Sequence, residues 1–145
     1  MALTTPYETY EKPGLVVSYK LAAIKIYKGG MVGLNTLGYL TPMTHATGGL
    51  RFVGVANETV DNSAGAQGDK SVNVTKCGSF VMKPAAGYAA AIADLGKEVY
   101  ANGDAEVQIG VGGLTNQYKV GTVVALETTS TGAAGVRVRI DNYSL

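Results

Sequence analysis

The sequence has 145 residues, which is long enough for one domain with a buried core. Twelve Lys and Arg residues balance eleven Asp and Glu residues, so the chain has no basic field that attracts nucleic acid or an anionic membrane. A single cysteine, Cys77, excludes an intramolecular disulfide framework. A single histidine, His45, excludes a multi-histidine site, and these counts predict neither a metal nor a cofactor.

The first segment, residues 1–14, is polar and has no periodic apolar pattern. It lacks the charged and apolar regions of a signal peptide, so we expect synthesis in the cytoplasm without export by the standard route. Proline favours extended backbone, and we predict an extended N-terminal arm here. Its candidate partner-contact residues are Pro6, Tyr7, Tyr10 and Pro13. The alternative is a first strand that completes its own barrel.

Alternating apolar and polar residues then predict short strands separated by glycine turns. Gly29 and Gly30 predict a two-residue hairpin between the strands that flank them. Turns at NTLG and ATGG lead into the further strands YLTPM and LRFVGVANETV.

The segment SAGAQGDKS, Ser63–Ser71, has the glycines and the Lys-Ser pair of a phosphate-binding loop. Such a loop needs Gly-Lys-Ser/Thr contiguously between a strand and a helix. Here Asp69 separates Gly68 from Lys70, and the residues that follow alternate as in a strand. We therefore expect an exposed connection between two strands, and no nucleotide site.

The second half of the chain continues the strand pattern with SVNVT, SFVMK, KEVYA, EVQIG, QYKVGTVVALE and GVRVRID. An alanine-rich segment, AAGYAAAIADLG, predicts one short helix that ends near Gly96. About nine or ten short strands with regular turns predict an all-β fold, a compact Greek-key-like barrel or sandwich. Residues 15–145 are expected to form this single domain.

A weak internal repeat accompanies the strand pattern. An offset of 67 positions superimposes Val32 on Val99 and Gly54 on Gly121, and it also brings together Asn35 with Asn102, Val53 with Val120, and Leu40 with Val107. Repetition of this kind predicts two related β-modules, which we expect to pack about a pseudo-twofold axis.

Catalytic chemistry has few candidate residues in this sequence. Cys77 and His45 would form a thiolate pair only if the fold brought them together, and Cys77 has no recognised local signature. We expect a partly buried thiol and a solvated imidazole. Asp61, Asn62 and Asp69 bracket the glycine loop but lack the spacing of a calcium loop. No catalytic residue is assigned, and the chain is expected not to be an enzyme.

The order of the blocks resembles that of the small phage capsid cement, or head decoration, proteins. The resemblance runs from about Leu15 to Ile140 and rests on KPGLVVSY, GVANETVDN followed by GD, LGKEVYA, and GTVVAL followed by GVRVRI. It implies a β-rich structural protein that binds the outer surface of the mature capsid and cements neighbouring major capsid protein subunits. It implies no catalytic residues.

The resemblance also implies a homo-oligomer in the virion, with a trimer favoured and a dimer possible. Neither nucleic acid nor a membrane is expected as a partner. Two other classes stay open: a virion fibre or carbohydrate-binding β-module, and a small hydrolase that uses Cys77 and His45.

Overall fold

A computed structural model describes residues 14–142, and the arm residues Pro6, Tyr7, Tyr10 and Pro13 lie outside them. The described chain is built almost entirely from strands, which confirms the prediction of an all-β fold. The twelve strands are β1 Val16–Lys20, β2 Lys25–Ile26, β3 Met31–Leu34, β4 Leu40–Pro42, β5 Arg51–Ala56, β6 Val60–Asp61, β7 Ser71–Thr75, β8 Cys77–Pro84, β9 Glu98–Ala101, β10 Glu106–Ile109, β11 Lys119–Thr128 and β12 Ala134–Asp141.

Ten of these strands form two five-stranded units of the same topology, and β2 and β6 form a separate two-stranded ladder. In the second unit, the order β8-β12-β11-β9-β10 closes into a barrel through parallel pairing of β10 with β8. In the first unit, the order is β1-β7-β5-β3-β4, and a parallel bridge between Leu21 and Leu40 joins its two ends. Each strand of the first unit therefore has a counterpart in the second. We call the units barrel 1 and barrel 2.

The strand registers of β3, β4 and β5 match those of β9, β10 and β11 residue by residue. Val32 pairs with Gly54 in barrel 1, and their counterparts Val99 and Gly121 pair in barrel 2. The ladder shifts at the same place in both barrels, after these pairs. The offset of 67 positions found in the sequence thus relates structurally equivalent residues.

Glycine is required at this bulge by close approach of the backbone. A Cβ at Gly54 would lie 2.1 Å from the Thr75 carbonyl oxygen, and one at Gly121 would lie 2.1 Å from the Arg139 carbonyl oxygen. Gly54 also has a φ of +147°, which L side chains rarely adopt. The repeated glycine therefore preserves a repeated bulge.

Barrel 1 packs on barrel 2 through the outer face of β3 and the loop that precedes β5. The Met31 amide donates to the Asp104 carbonyl oxygen at 2.7 Å. The Tyr118 hydroxyl accepts from the Leu50 amide at 3.1 Å and donates to the Thr47 carbonyl oxygen at 2.7 Å. One apolar cluster joins Met31 and Leu50 to the core of barrel 2, whereas a second cluster fills barrel 1.

The expected pseudo-twofold axis is wrong, because the contacts are not reciprocal. A twofold axis would bring together Glu98 and Leu37, the counterparts of Met31 and Asp104. Instead, Leu37 is 72% exposed, and Glu98 forms an ion pair with Lys119.

Two local predictions also differ from the structure. The strands that flank Gly29 and Gly30 do not form a hairpin, because β2 pairs with β6 while β3 pairs with β4 and β5. The alanine-rich segment contains only a single 3₁₀ turn, Ile92–Asp94, and Gly96 follows it with a φ of +83°.

Candidate partner-binding surface

The glycine loop is fastened to one end of barrel 1 by hydrogen bonds of its own side chains. The buried Asn62 amide donates to the carbonyl oxygens of Ala22 at 3.1 Å and Ala66 at 2.9 Å. Asp69 accepts from the Ala66 amide at 2.8 Å, and the Lys70 ammonium donates to the Asp61 carbonyl oxygen at 2.6 Å. The loop joins β6 to β7, as expected, and together with the β2–β6 ladder it fastens one end of the barrel.

The geometry of Asp61, Asn62 and Asp69 does not support a calcium site. The Asp61 carboxylate accepts from both the amide and the hydroxyl of Ser63, and these bonds lower the pKa of Asp61. Within residues 14–142, no three acidic, histidine or cysteine side chains are grouped so that they could hold a metal ion.

Cys77 and His45 are not joined in the described part of the chain. Cys77 is half-buried at the start of β8, where it pairs with Asp141. The Nδ1 atom of His45 accepts from the Thr115 amide at 3.2 Å, and the His45 carbonyl oxygen accepts from the Asn116 side chain at 2.7 Å. The expectation of a solvated imidazole is therefore wrong: His45 ties the two barrels together.

The most exposed apolar segment is the loop between β8 and β9, residues 85–97, which we call the apolar loop. No charged residue occurs between Lys83 and Asp94. Ile92 is 78% exposed and Leu95 is 46% exposed. Ile92 and Leu95 lie three residues apart, and together they form a candidate protein-binding surface.

The apolar loop is held in one shape at both ends. The Ala85 amide donates to the Val107 carbonyl oxygen at 2.7 Å, and the Gly96 amide donates to the Val123 carbonyl oxygen at 2.8 Å. Asp94 accepts from the Ala91 amide at 2.8 Å and turns the chain. Because these bonds fix the backbone, a partner that covers Ile92 has little loop entropy to overcome.

The charged side chains within the apolar loop and next to it form ion pairs with one another. The Lys97 ammonium donates to Asp94 at 2.8 Å and lowers the pKa of that carboxyl. The Lys119 ammonium donates to Glu98 at 2.8 Å and lowers the pKa of Glu98, while the bond raises the pKa of Lys119. The surface therefore offers little net charge to a partner.

A groove of about 690 Å³ runs along one side of the apolar loop. Its lining includes Tyr88 and Tyr100, with Ile109 and Val111 at the end of β10. The Tyr88 hydroxyl donates to the Gly112 carbonyl oxygen at 2.5 Å, which fixes the wall of the groove. A second cavity of about 520 Å³ lies at the junction of the barrels, beside Phe52 and Tyr118.

Sequence reasoning missed the apolar loop as a surface. The uncharged run between the two predicted strands could have indicated an exposed apolar segment, because it has no periodic apolar face to bury. The alanine content instead favoured a helix. No sequence signal places Ile92 outside the core, since an isolated isoleucine is usually buried.

Comparison with family models, with curated proteins and with solved structures gave no match. Within residues 14–142, no helix has the length and apolar character needed to cross a membrane.

Proposed function

We propose that this protein is a structural, non-enzymatic component of a phage virion. It binds the outer surface of the mature capsid and cements neighbouring major capsid protein subunits. The observation that carries the proposal is the apolar loop, which presents Ile92 and Leu95 on a fixed backbone. The resemblance of the sequence blocks to capsid cement proteins supports the coat as the partner.

The apolar loop supplies binding free energy of the right kind. Full burial of an isoleucine or leucine side chain contributes about 1.5–3 kcal/mol. One such contact is weak, but many copies on one lattice act together through effective concentration. A protein that binds only the expanded lattice stabilises that lattice by mass action. Exposed side chains of this size therefore suffice for cementing.

Self-association is part of the same proposal. The resemblance favours a homotrimer over a dimer, since cement proteins commonly occupy threefold or quasi-threefold positions. Sedimentation velocity at micromolar concentration is expected to show the trimer. A strictly monomeric species would contradict this element of the proposal and leave lattice binding to be tested separately.

Co-sedimentation with capsids tests the proposal. Mature, expanded capsids that lack the protein are mixed with wild type, with Ile92→Ser/Leu95→Ser, and with a control, Ile24→Ser/Tyr27→Ser. The control changes exposed apolar residues in the counterpart loop of barrel 1, residues 21–30. We expect binding of wild type and control, and a loss of at least about tenfold, or ~1.4 kcal/mol, for the first variant.

The result is interpretable because both variants change exposed side chains. Their unfolding free energies should stay within about 0.5 kcal/mol of wild type. Absence of wild-type binding to expanded capsids would contradict the capsid function. Equal loss in both variants would contradict the assignment to the apolar loop.

A carbohydrate-binding role is the second candidate, and the groove favours it. Tyr88 and Tyr100 line it together with the carboxylates of Asp94 and Glu98. Aromatic rings and hydrogen-bonding groups side by side suit a ligand with apolar and polar faces. Binding on a glycan array that Tyr100→Ala abolishes, without any capsid binding, would establish this role instead.

A further inference from the structure

The loops that precede β3 and β9 dock on β5 and β11 in the same way. In barrel 1, the Gly29 amide donates to the Ala56 carbonyl oxygen at 2.8 Å. In barrel 2, at positions 67 residues later, the Gly96 amide donates to the Val123 carbonyl oxygen at 2.8 Å. The amides of Ala56 and Val123 each donate back to the residue that follows the glycine, at 2.9 and 3.0 Å. The two barrels therefore begin the same ladder at equivalent places.

Barrel 1 continues this ladder, whereas barrel 2 does not. In barrel 1, strand β2 of the loop pairs with β6, which follows β5 in the chain. The positions 67 residues later are Ile92 and Ala93 in the apolar loop, and Glu127 and Thr128 in β11. In place of a strand, the apolar loop forms the 3₁₀ turn Ile92–Asp94 there, and Ile92 is 78% exposed. The edge that β2 covers in barrel 1 has no equivalent cover in barrel 2.

The uncovered edge is the stretch Val124–Thr128 of β11. Within residues 14–142, this stretch forms ladder pairs only with β12, and the ladder is regular after the bulge at its start. The Thr129 amide donates to the Ala133 carbonyl oxygen at 2.8 Å, and the side that the backbone groups face alternates along an antiparallel strand. The N–H and C=O groups of Leu126 and Thr128 therefore point away from β12, toward the uncovered side.

The side chains beside this edge are mostly apolar. Val124 is 42% exposed and Leu126 is 38% exposed, and Leu95 directly precedes the glycine that bonds to β11. The charged residue of the stretch, Glu127, forms an ion pair with Arg137 at 2.9 Å. Lysine and proline, which protect many strand edges, are absent from the stretch. Such an edge is suited to an added strand in which apolar and polar side chains alternate.

We propose that the edge Val124–Thr128 binds an extended segment of the major capsid protein as an added antiparallel strand. This inference rests on the proposed function for its partner, and the β2–β6 ladder of barrel 1 supplies the geometry. Residues 1–14 of the protein are unsuited to the edge, because they have no alternating apolar pattern and because Pro6 and Pro13 lack the N–H group of a ladder. Pairing of the edge with itself would be a twofold contact, which does not build a trimer.

Proline substitution at the outward-facing amides tests this proposal. Leu126→Pro/Thr128→Pro removes two N–H donors from the uncovered edge and leaves the ladder bonds to β12 in place. Leu126→Ala/Thr128→Ala is the matched control, because it shortens the same side chains and keeps both donors. In co-sedimentation with expanded capsids, we expect the proline variant to bind at least about fivefold more weakly than the alanine control, since two backbone hydrogen bonds are lost.

Amide hydrogen exchange of the wild-type protein gives a second measurement. The amides of Leu126 and Thr128 should exchange more slowly on expanded capsids than in the free protein, because an added strand accepts their hydrogen bonds. The Glu127 amide, which faces β12, should change little. This measurement needs no substitution, so it decides between the outcomes even if the proline variant does not fold.

Three outcomes would overturn the proposal, and they separate it from the capsid function. Wild-type binding without slower exchange at Leu126 and Thr128, or a folded proline variant that binds as well as the alanine control, would contradict strand addition alone. Absence of wild-type binding to expanded capsids would contradict both the capsid function and this partner. Dimers of the free protein that the two prolines abolish would assign the edge to a second copy of the chain.

Discussion

The two barrels share one framework and differ in their loops. In barrel 1, the loop after β1 forms β2, which pairs with β6, and Asn62 fastens the glycine loop beneath them. In barrel 2, the counterpart loop has no strand pairing and exposes Ile92. The comparison teaches that a repeated framework leaves the loops free to diverge, one toward a closed end and the other toward an exposed apolar surface.

The largest expected effect concerns the framework itself. Gly54→Ala and Gly121→Ala should each lower the free energy of unfolding by about 3 kcal/mol, because the new Cβ meets a backbone carbonyl oxygen. Chemical denaturation measures this change. Gly103→Ala is the control, since a Cβ there meets nothing within 4 Å. A small loss of unfolding free energy in Gly121→Ala, beside a large loss in Gly54→Ala, would contradict the structural equivalence of the two barrels.

The next effect tests the closed end of barrel 1. Asn62→Ala removes one donor from each of the carbonyl oxygens of Ala22 and Ala66, which keep only the amides of Ile24 and Asp69. We expect a loss of about 1–3 kcal/mol in unfolding free energy. Hydrogen exchange should speed up in residues 21–30 and 57–70 and stay unchanged in residues 85–97. Equal acceleration of hydrogen exchange in both barrels would contradict a local role of Asn62 at this end of barrel 1.

The N-terminal arm provides a binding effect of smaller size. Deleting Ala2 to Glu11, which includes Tyr7 and Tyr10, should leave the midpoint of thermal unfolding nearly unchanged. Binding to mature capsids should weaken at least about tenfold, or ~1.4 kcal/mol, because two rigid tyrosine contacts are lost. A much lower midpoint would instead show that the arm completes barrel 1.

The smallest effect is the pH dependence of the folding stability that arises from the Glu98–Lys119 ion pair of barrel 2. The bond from Lys119 lowers the pKa of Glu98 below its ordinary value of 4.5. A carboxyl with a lowered pKa in the folded state adds stability above its unfolded pKa, and this is lost as pH falls through the folded value. Glu98→Gln should remove that small acid-side loss, and salt should reduce it in wild type. Identical acid titrations of both proteins would contradict the effect.

Much of the fold follows from the sequence because its signals are local. The segments SVNVT and GVRVRID alternate strictly between apolar and polar residues. In the structure the first is β7, which pairs with β1, and the second lies in β12, which pairs with β8. The β2–β6 ladder was not predictable, because Lys25 and Asp61 are distant in sequence and each strand has only two residues. The two glycines before β3 resemble a hairpin turn, and tertiary pairing overrides that preference.

The candidate site was less predictable than the fold. The Tyr118 hydroxyl joins the two barrels within the chain, and nothing in the sequence around Tyr118 indicates this contact. The role of His45 was equally unpredictable from the sequence, because its hydrogen-bond partner Thr115 is far away in the chain. Contacts between the barrels depend on how whole units pack, and no periodic pattern encodes them.

Electron microscopy of purified virions that carry or lack this protein tests the central claim most directly. We predict difference density on the outer surface of the capsid, at junctions between coat subunits, with two barrels in each copy. Residues 85–97 of barrel 2 should lie against the shell. The absence of difference density, or density in which those residues point away from the coat, would contradict the proposed function.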